Sequence, residues 1–300
     1  MRYCSKCILP NTRPQIIINN KNICSACEFF SNKKKKFDFK KIENDIKSKA
    51  KTYDCVIPVS GGKDSTWQVI VAKKFGLKPL CVTWRSPGRN QLGQKNLNNL
   101  INLGVDHIDF SINHEIEKKF IKKTFFKFGN PLIPMHLALH AIPTQIALEK
   151  KIPLILWGEN SADEYGGDKT FKGRYMTNKW RKVFGVNEGK TINYWVDKKL
   201  KKKDLNPYKL PTNKDMQNSK IKEVFLGYYF EWFPKKIFNI SKKYGFKSAT
   251  KPKTGYYKFA DIDDEFLITI HHLMKWYKFG FTREWDNLSL EIRNQKISRQ

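Results

Sequence analysis

Acidic residues are few in this sequence, and so is arginine. Asp and Glu total 28 against 57 Lys and Arg in 300 residues, which gives a formal net charge of +29. Of the basic residues, 48 are Lys and only 9 are Arg, although Arg is the side chain favoured for bidentate contacts with phosphates and bases. We therefore expect a solvated basic surface, or a positive cleft for a small anionic substrate, in preference to a nucleic-acid groove.

Long hydrophobic runs are also missing. No apolar stretch reaches membrane-spanning length, and the first residues, Met1 to Cys4, do not resemble a signal peptide. With 40% hydrophobic and 14% aromatic residues the chain is nevertheless expected to be globular, and it is long enough for one large domain or two smaller ones. We expect a cytoplasmic protein that makes no membrane contact.

Cysteine is scarce, but four of the six cysteines form two pairs near the N terminus. Cys4 and Cys7 are followed, after sixteen residues, by Cys24 and Cys27. This spacing is typical of a structural, tetrahedral zinc site in a zinc ribbon, with residues 16–18 as one strand of its hairpin. Disulfides are disfavoured in a reducing cytosol, whereas an iron–sulfur cluster is a second interpretation that the spacing leaves open.

A glycine turn follows the first predicted strand. Cys55–Val59 is a short apolar run that predicts a buried strand, and apolar positions between 69 and 75 predict the next helix. Between them stands Ser-Gly-Gly-Lys-Asp-Ser, residues 60–65. The unpaired N–H groups at the start of a helix form an anion site, which glycine allows a ligand to approach and which Lys63 supplements with a positive charge.

The order of these six residues excludes a Walker A loop, because the glycines are adjacent and Asp follows Lys. The motif instead resembles the PP-loop of the N-type ATP pyrophosphatases. Enzymes of that class cleave ATP between the α and β phosphates and adenylate an oxygen of their substrate. An ordinary Gly-Gly turn beside an unrelated lysine is the simpler alternative, which the strand–turn–helix context disfavours.

Strands and helices alternate after this loop. Further strands are predicted at Leu80–Trp84, Val105–Phe110 and Ile152–Trp157, with helices at Gln94–Leu103 and Leu137–Lys150. This alternation predicts an α/β fold, a doubly wound parallel sheet of the PP-loop (adenine nucleotide alpha hydrolase-like) type. Ligands bind such sheets at the carboxyl ends of the strands, where the Gly-Gly loop is expected.

Acidic residues follow the fourth predicted strand. Asp163 and Glu164 lie in the segment 158–167, and carboxylates at that end of the sheet are suited to Mg²⁺ that bridges polyphosphate oxygens. An N-capped helix with an acidic first turn explains either residue equally well.

The predicted domain organisation has four parts. Residues 1–32 form the zinc ribbon, 33–52 a basic helical linker, 53–185 the ATP pyrophosphatase domain and 186–300 a helical, substrate-binding extension. Within the extension, the aromatic-rich run at 224–238 is expected to be helical.

Eight segments of the chain together resemble the N-acetyl sugar amidotransferases, a family that includes the pseudaminic acid and lipopolysaccharide (O-antigen) biosynthesis amidotransferases. They are Tyr3–Pro14, Ile23–Cys27, Asp54–Ser65, Trp157–Asn160 with Glu164–Gly167, Leu226–Tyr229, Lys278–Phe281 and Leu290–Arg293. The similarity runs from end to end. Because family members typically continue well past the last of these segments, it implies that this chain is C-terminally short.

The resemblance implies an ATP-dependent reaction on an N-acetyl group of a bacterial diacetamido sugar, either a nonulosonic acid or a uronic acid sugar nucleotide. Adenylation of the amide oxygen would make AMP the leaving group. Ammonia would then give an acetamidino group, with AMP and pyrophosphate as the other products. ATP, Mg²⁺ and structural Zn²⁺ are the implied cofactors.

The resemblance also implies roles for particular residues, with Lys63, Asp64 and Ser60 as the catalytic candidates. It assigns pyrophosphate to Gly61, Gly62, Lys63 and Ser65, the α-phosphate to Ser60, Mg²⁺ to Asp64 with Glu164 or Asp163, adenine stacking to Trp84, and further nucleotide contacts to Gly158 and Asn160.

The remaining cysteines, Cys55 and Cys81, lie in predicted strands and are expected to be small core residues. A glutaminase needs an exposed nucleophilic cysteine, so we expect a separate glutaminase subunit to supply ammonia.

A tRNA-thiolating enzyme with a zinc ribbon is the main alternative, which the lack of further reactive cysteines disfavours. A non-catalytic zinc-ribbon binding module is a second alternative, disfavoured by the intact phosphate loop.

Overall fold

The computed structural model describes residues 1–31, 52–171, 173–184, 190–264 and 266–300. The predicted basic linker lies outside these residues except for its last position, and so does the predicted boundary at 185/186.

The described residues form a five-stranded parallel sheet with the strand order β3-β2-β1-β4-β5. The strands are β1 Cys55–Pro58, β2 Pro79–Trp84, β3 Asp106–Phe110, β4 Leu154–Trp157 and β5 Lys222–Phe225. The four strands predicted from the sequence are confirmed, with boundaries shifted by one or two residues. The expected parallel α/β architecture is therefore confirmed as well.

Helices connect the strands and continue after β5. They are α1 Ser25–Ser31, α2 Lys63–Lys74, α3 Gln91–Ile101, α4 His114–Phe128, α5 Ile133–Glu149, α6 Ser161–Tyr165, α7 Asn178–Phe184, α8 Asn213–Ser219, α9 Pro234–Lys243, α10 Leu267–Phe279 and α11 Arg283–Arg293, with short 3₁₀ turns at Lys169–Phe171, Ile192–Trp195, Lys202–Tyr208 and Leu226–Tyr228. Within the described ranges, none of these helices has both the length and the apolar character needed to cross a membrane.

Both faces of the sheet are covered, which is why every residue of β2 and β4 is buried. Along β1 the side chains alternate: Cys55 and Ile57 pack with α2, α3 and α9 on one face. Val56 packs with α4, α5 and α7 on the other face. The apolar run of each strand therefore supplies two separate cores, as a doubly wound sheet requires.

Strand β5 was not predicted. The sequence suggested a helix over 224–238, which is wrong: this run begins in β5, passes through a 3₁₀ turn and becomes helical only at Pro234. A short apolar run fits a buried strand as well as a helix, and pairing with β4 decides for the strand. Pro234 suits the first turn of a helix because that position needs no N–H donor.

The direction of chain winding reverses at β1. The chain leaves β1 through α2 to β2 on one side, whereas β4 pairs with β1 on the other side. The loops after β1 and β4 therefore flank the crevice at this switch point, where ligands bind in open α/β sheets.

Gly61 determines the course of the loop after β1. Its φ is +86°, and a Cβ atom built on it would lie 2.6 Å from the backbone nitrogen of Leu97 in α3. Both observations require a residue without a side chain. Gly62 has an ordinary φ of −67°, and an added Cβ would meet only the Ser60 hydroxyl oxygen, at 3.3 Å.

These two adjacent glycines form a matched pair for mutation. We expect Gly61→Ala to lower the free energy of unfolding by about 1–3 kcal/mol, through backbone strain and the clash with α3. Gly62→Ala should cost clearly less, since the hydroxyl it meets can rotate away. Urea denaturation of both variants measures the difference, and equal losses would contradict this account of the loop.

Candidate active site

The loop after β1 ends on an uncapped helix. Gly62 is the N-cap residue of α2 and has no side chain with which to satisfy the first backbone N–H groups. Its carbonyl oxygen accepts hydrogen bonds from the amide of Thr66 and from the hydroxyls of Ser65 and Thr66, each at 3.0 Å. The Ser60 hydroxyl is exposed and accepts weakly from the Gly62 amide at 3.4 Å. The amides of the first turn are thus directed at the crevice, as in an anion site.

Lys63 is held firmly at the start of α2. Its side chain is largely buried, its ammonium pairs with the Asp64 carboxylate at 2.5 Å, and it lies 5.4 Å from the ring centroid of Phe259. Its carbonyl oxygen accepts a hydrogen bond from the Ser241 hydroxyl of α9 at 2.7 Å. Residues beyond the sheet therefore fix the orientation of the first turn of α2.

Three carboxylates in the segments after β1 and β4 act on one another electrostatically. Glu159 follows β4 and Glu164 lies on α6, and both lie close enough to Asp64 for its charge to act on them. Burial and the Asp64 carboxylate raise the pKa of Glu159 above its ordinary value. Burial, Glu159 and Asp64, in that order, raise the pKa of Glu164 to about 8.

This carboxylate cluster (Asp64, Glu159 and Glu164) has the chemistry of a divalent cation site. Among the described residues, Oδ1 of Asp64 is buried and has no hydrogen-bond partner. Like charges in one small volume disfavour full ionisation, and a hard cation with oxygen ligands would relieve that repulsion. Their oxygen atoms are of the type that Mg²⁺ prefers, but among the described residues only the four N-terminal cysteines lie close enough together to share one ion as they stand.

Asp163, the other candidate for Mg²⁺, lies elsewhere. Burial and the Asp163 charge raise the pKa of Tyr228, while Arg174 opposes them. Asp163 contributes to neither shift that defines the carboxylate cluster. Of the two acidic residues suggested by the sequence, Glu164 is coupled electrostatically to Asp64, and Asp163 to Tyr228.

The predicted nucleotide contacts after β4 have structural roles in this loop. The Asn160 side chain accepts from the Ala162 amide at 3.0 Å and from the Trp180 indole at 2.8 Å, and it donates to the Phe171 carbonyl oxygen at 3.0 Å. Asn160 thus caps α6 and fixes the loop. The Gly158 carbonyl oxygen accepts from the Gly227 amide at 3.1 Å, which joins the loop to the segment after β5.

The surroundings of Trp84 differ from those expected for a residue on which adenine stacks. It ends β2 as predicted, but its side chain is only 6% exposed and lies in the core between the sheet and α5. Its indole N–H donates to the Glu117 carboxylate of α4 at 2.8 Å. The structure therefore presents no open face of Trp84 on which adenine could stack.

Two charged residues of the site escaped the sequence analysis. Glu159 lies in the acidic segment 158–167, in which the sequence pointed to Asp163 and Glu164 as the metal ligands. Arg283 begins α11, far from the loop in sequence, and no local motif marks it. The Arg283 charge partly offsets the effect of burial on both Glu159 and Glu164. Its Nε lies 3.6 Å from the Asp261 carboxylate.

The four N-terminal cysteines form one buried cluster. Their sulfur atoms all lie within 4.8 Å of one another, with Cys4–Cys27 at 3.9 Å and Cys7–Cys24 at 3.7 Å. Zn–S bonds of about 2.3 Å in a tetrahedron place the sulfurs about 3.8 Å apart. The cluster therefore fits a single zinc-sized ion and is too tight to enclose a multi-iron cluster. The predicted hairpin strand at 16–18 is reduced to one antiparallel bridge from Ile18 to Cys24.

The cysteine cluster also contacts the loop after β4. Arg293 of α11 donates to the Glu164 carbonyl oxygen at 2.5 Å and lies 3.9 Å from Cys7 Sγ. The Gly167 amide donates to the Ser25 hydroxyl of α1 at 3.1 Å. Glu164 is thus positioned by the N-terminal cluster and the last helix together.

No protein-family model and no curated protein matches this chain. Among solved structures, the chain is similar to NMN synthetase from Francisella tularensis, with 13% identity, a TM-score of 0.41, and coverage of 92% of this chain and 96% of that one. It is also similar to a predicted subunit of tRNA methyltransferase from Methanocaldococcus jannaschii, with 14% identity, a TM-score of 0.35, and coverage of 63% and 75%. Similarity at this level does not bear on function.

The raised pKa of Glu164 predicts a pH dependence of Mg²⁺ binding. Below a pKa of about 8 the carboxyl is protonated and the proton competes with the metal. Ionisation should therefore strengthen Mg²⁺ binding by about tenfold between about pH 7 and pH 9. Calorimetry in the presence of α,β-methylene ATP measures this, and Glu164→Gln should flatten the profile relative to the native protein. Identical profiles for both proteins would contradict the proposed ligand.

The cysteine cluster predicts one bound metal ion per chain. Cys24→Ser should abolish metal binding and lower the melting temperature, because a structural site contributes directly to folding. Cys81→Ser, which changes a core cysteine of β2, should keep the metal. Elemental analysis with thermal unfolding tests this pair, and full metal content in Cys24→Ser would refute the assignment.

Proposed function

We propose that this chain is an ATP-dependent enzyme of the PP-loop type that adenylates the amide oxygen of an N-acetyl sugar, namely an N-acetyl sugar amidotransferase. One observation carries the proposal: the open N terminus of α2, with Lys63, faces the carboxylate cluster at the switch point of the sheet. This is the arrangement that a bound triphosphate and its cation require. The motifs at 54–65 and 157–167 favour this enzyme class.

Each part of the crevice has a role in the proposed reaction. The amides of the first α2 turn, Gly61–Gly62 and Lys63 would bind the pyrophosphate end of ATP and stabilise its charge as it leaves. Ser60, exposed beside them, would contact the α-phosphate. Asp64, Glu159 and Glu164 would hold Mg²⁺, which neutralises polyphosphate charge when it is bound.

The chemistry balances in two steps. The amide oxygen of the acetamido group attacks the α-phosphorus, the bond to the bridging oxygen breaks and pyrophosphate leaves. Ammonia then adds to the activated carbon, loses two of its three protons and displaces AMP, which carries the former amide oxygen. The result is an acetamidino group in which NH replaces oxygen.

The cysteines support a separate source of ammonia. Cys55 and Cys81 are fully buried. Burial raises the pKa of Cys81 to about 12 and that of Cys55 well above its usual value. The other four cysteines form the metal-type cluster. A thiolate is the reactive form, so we propose that a glutaminase-type partner supplies the nitrogen. The same reasoning favours this function over tRNA thiolation, which needs reactive cysteines near the nucleotide.

The test is incubation with ATP, Mg²⁺, ammonium and a panel of diacetamido sugars. We expect stoichiometric AMP and a sugar product in which NH has replaced oxygen, detected by mass spectrometry. Lys63→Ala should lower AMP formation by about 100-fold or more while leaving the circular dichroism spectrum unchanged. Lys74→Ala, at the exposed far end of the same helix, is the matched control and should retain activity.

Other products would overturn the proposal. ADP with orthophosphate would place the cleavage at the wrong phosphate. AMP formation that depended on tRNA and not on any sugar would favour the thiolating alternative.

A further inference from the structure

A pocket of about 390 Å³ is lined in part by α6, the helix that carries Glu164. Its walls come from the N-terminal segment at Arg13–Gln15, from α6 and α7, and from α10 with the following Phe281. Tyr165, which lines the pocket, directly follows Glu164 on α6. The pocket therefore shares α6 with one residue of the carboxylate cluster.

The pocket carries an excess of positive charge. Arg13 Nε and Lys275 Nζ both contact the Asp286 carboxylate, at 2.8 and 2.7 Å. The two cationic side chains remain 14% and 13% exposed, whereas that of Asp286 is 1% exposed and does not line the pocket. One carboxylate cannot neutralise two cations, and it lies behind them. Lys278 adds a third cation at the exposed rim.

Lys275 is largely buried, and it shares its carboxylate partner, Asp286, with Arg13. Desolvation by burial is the main reason that the pKa of its ammonium is lowered to about 8; the Asp286 carboxylate opposes this shift and the Arg13 charge adds to it. A bound anion would favour the protonated form of Lys275. The charge distribution thus indicates an anionic ligand.

The remaining walls suit a ring that carries hydroxyl groups. Tyr165 lies 4.2 Å below the Arg13 guanidinium, and Phe281 lies 4.3 Å from the Lys275 ammonium, both measured to ring centroids. Phe281 is fully buried and Tyr165 is partly exposed, so the flat apolar surface is that of Tyr165. Gln15, Asn130 and Ser161 place polar side chains around it. A few polar groups on an apolar wall are typical of small-molecule sites of this volume.

We propose that this pocket binds the acceptor substrate and selects one whose ring carries an anionic group, a carboxylate or a phosphate, held between Arg13 and Lys275. The identification of the ligand as the acceptor rests on the proposed function, whereas the anion selectivity rests on the pocket itself. The N-terminal segment that carries the four clustered cysteines then takes part directly in recognition, because it supplies Arg13 and Gln15 to the pocket wall.

The test is calorimetric titration, without ATP, of three acetamido sugars: neutral N-acetylglucosamine, N-acetylneuraminate with a carboxylate, and N-acetylglucosamine 1-phosphate. At least one anionic probe should bind about tenfold or more tightly than the neutral sugar. The probe that does so identifies the anionic group. Equal affinity for all three would overturn the proposal.

Three variants separate recognition from folding. Arg13→Gln should remove the preference for the anionic probe, while Lys119→Met, at an exposed position of α4 outside the pocket, should leave it unchanged. Because Arg13 pairs with buried Asp286, Lys278→Glu at the exposed rim provides a variant that does not disturb the core; it should weaken only anionic probes. Equal weakening of neutral and anionic probes by Lys278→Glu would contradict the proposal. The titration contains no ATP, so a negative binding result would not contradict the proposed adenylation. Equally, a lack of AMP formation would not contradict the measured selectivity for anionic sugars.

Discussion

Mutual repulsion among Asp64, Glu159 and Glu164 is the constraint on which the rest of the site depends. Burial raises the pKa of both glutamates, and the charge on Asp64 raises each one further. Such a cluster is stable only if the backbone that carries it is fixed and if cations lie nearby. Lys63 and Arg283 supply positive charge from α2 and α11. A metal–triphosphate complex would complete the compensation.

The fold explains how the backbone is fixed. The Gly61 turn against α3 fixes the position of Asp64. Glu159 lies two residues after β4, which pairs with the central strand β1. Glu164 does not follow a strand directly. Its position is fixed by the hydrogen bond from Arg293 to its carbonyl oxygen and by the hydrogen bond from the Gly167 amide to the Ser25 hydroxyl. The cysteine cluster and the last helix therefore act on the site through the position of one short loop.

The sequence was informative where a local pattern specifies the structure. Buried parallel strands are apolar runs, so β1 to β4 and the turn at 60–65 could be located from the sequence. Strand β5 could not, because a short apolar run followed by aromatic residues fits a helix equally well until β4 is seen beside it. Trp84 was misinterpreted because its partner, Glu117, comes from a helix 33 residues away. The grouping of Glu159 with Arg283, and of Arg13 with Lys275 and Asp286, depends on tertiary packing that no local pattern encodes.

The central claim is that the acceptor's amide oxygen becomes bonded to the α-phosphorus of ATP. The most direct measurement uses an acceptor labelled with ¹⁸O in its acetamido carbonyl, turned over with ATP and ammonium and followed by ³¹P NMR of the nucleotide. The account predicts that the label is recovered in the phosphate of AMP. Label found in pyrophosphate or orthophosphate, or released to water with unlabelled AMP, would contradict it.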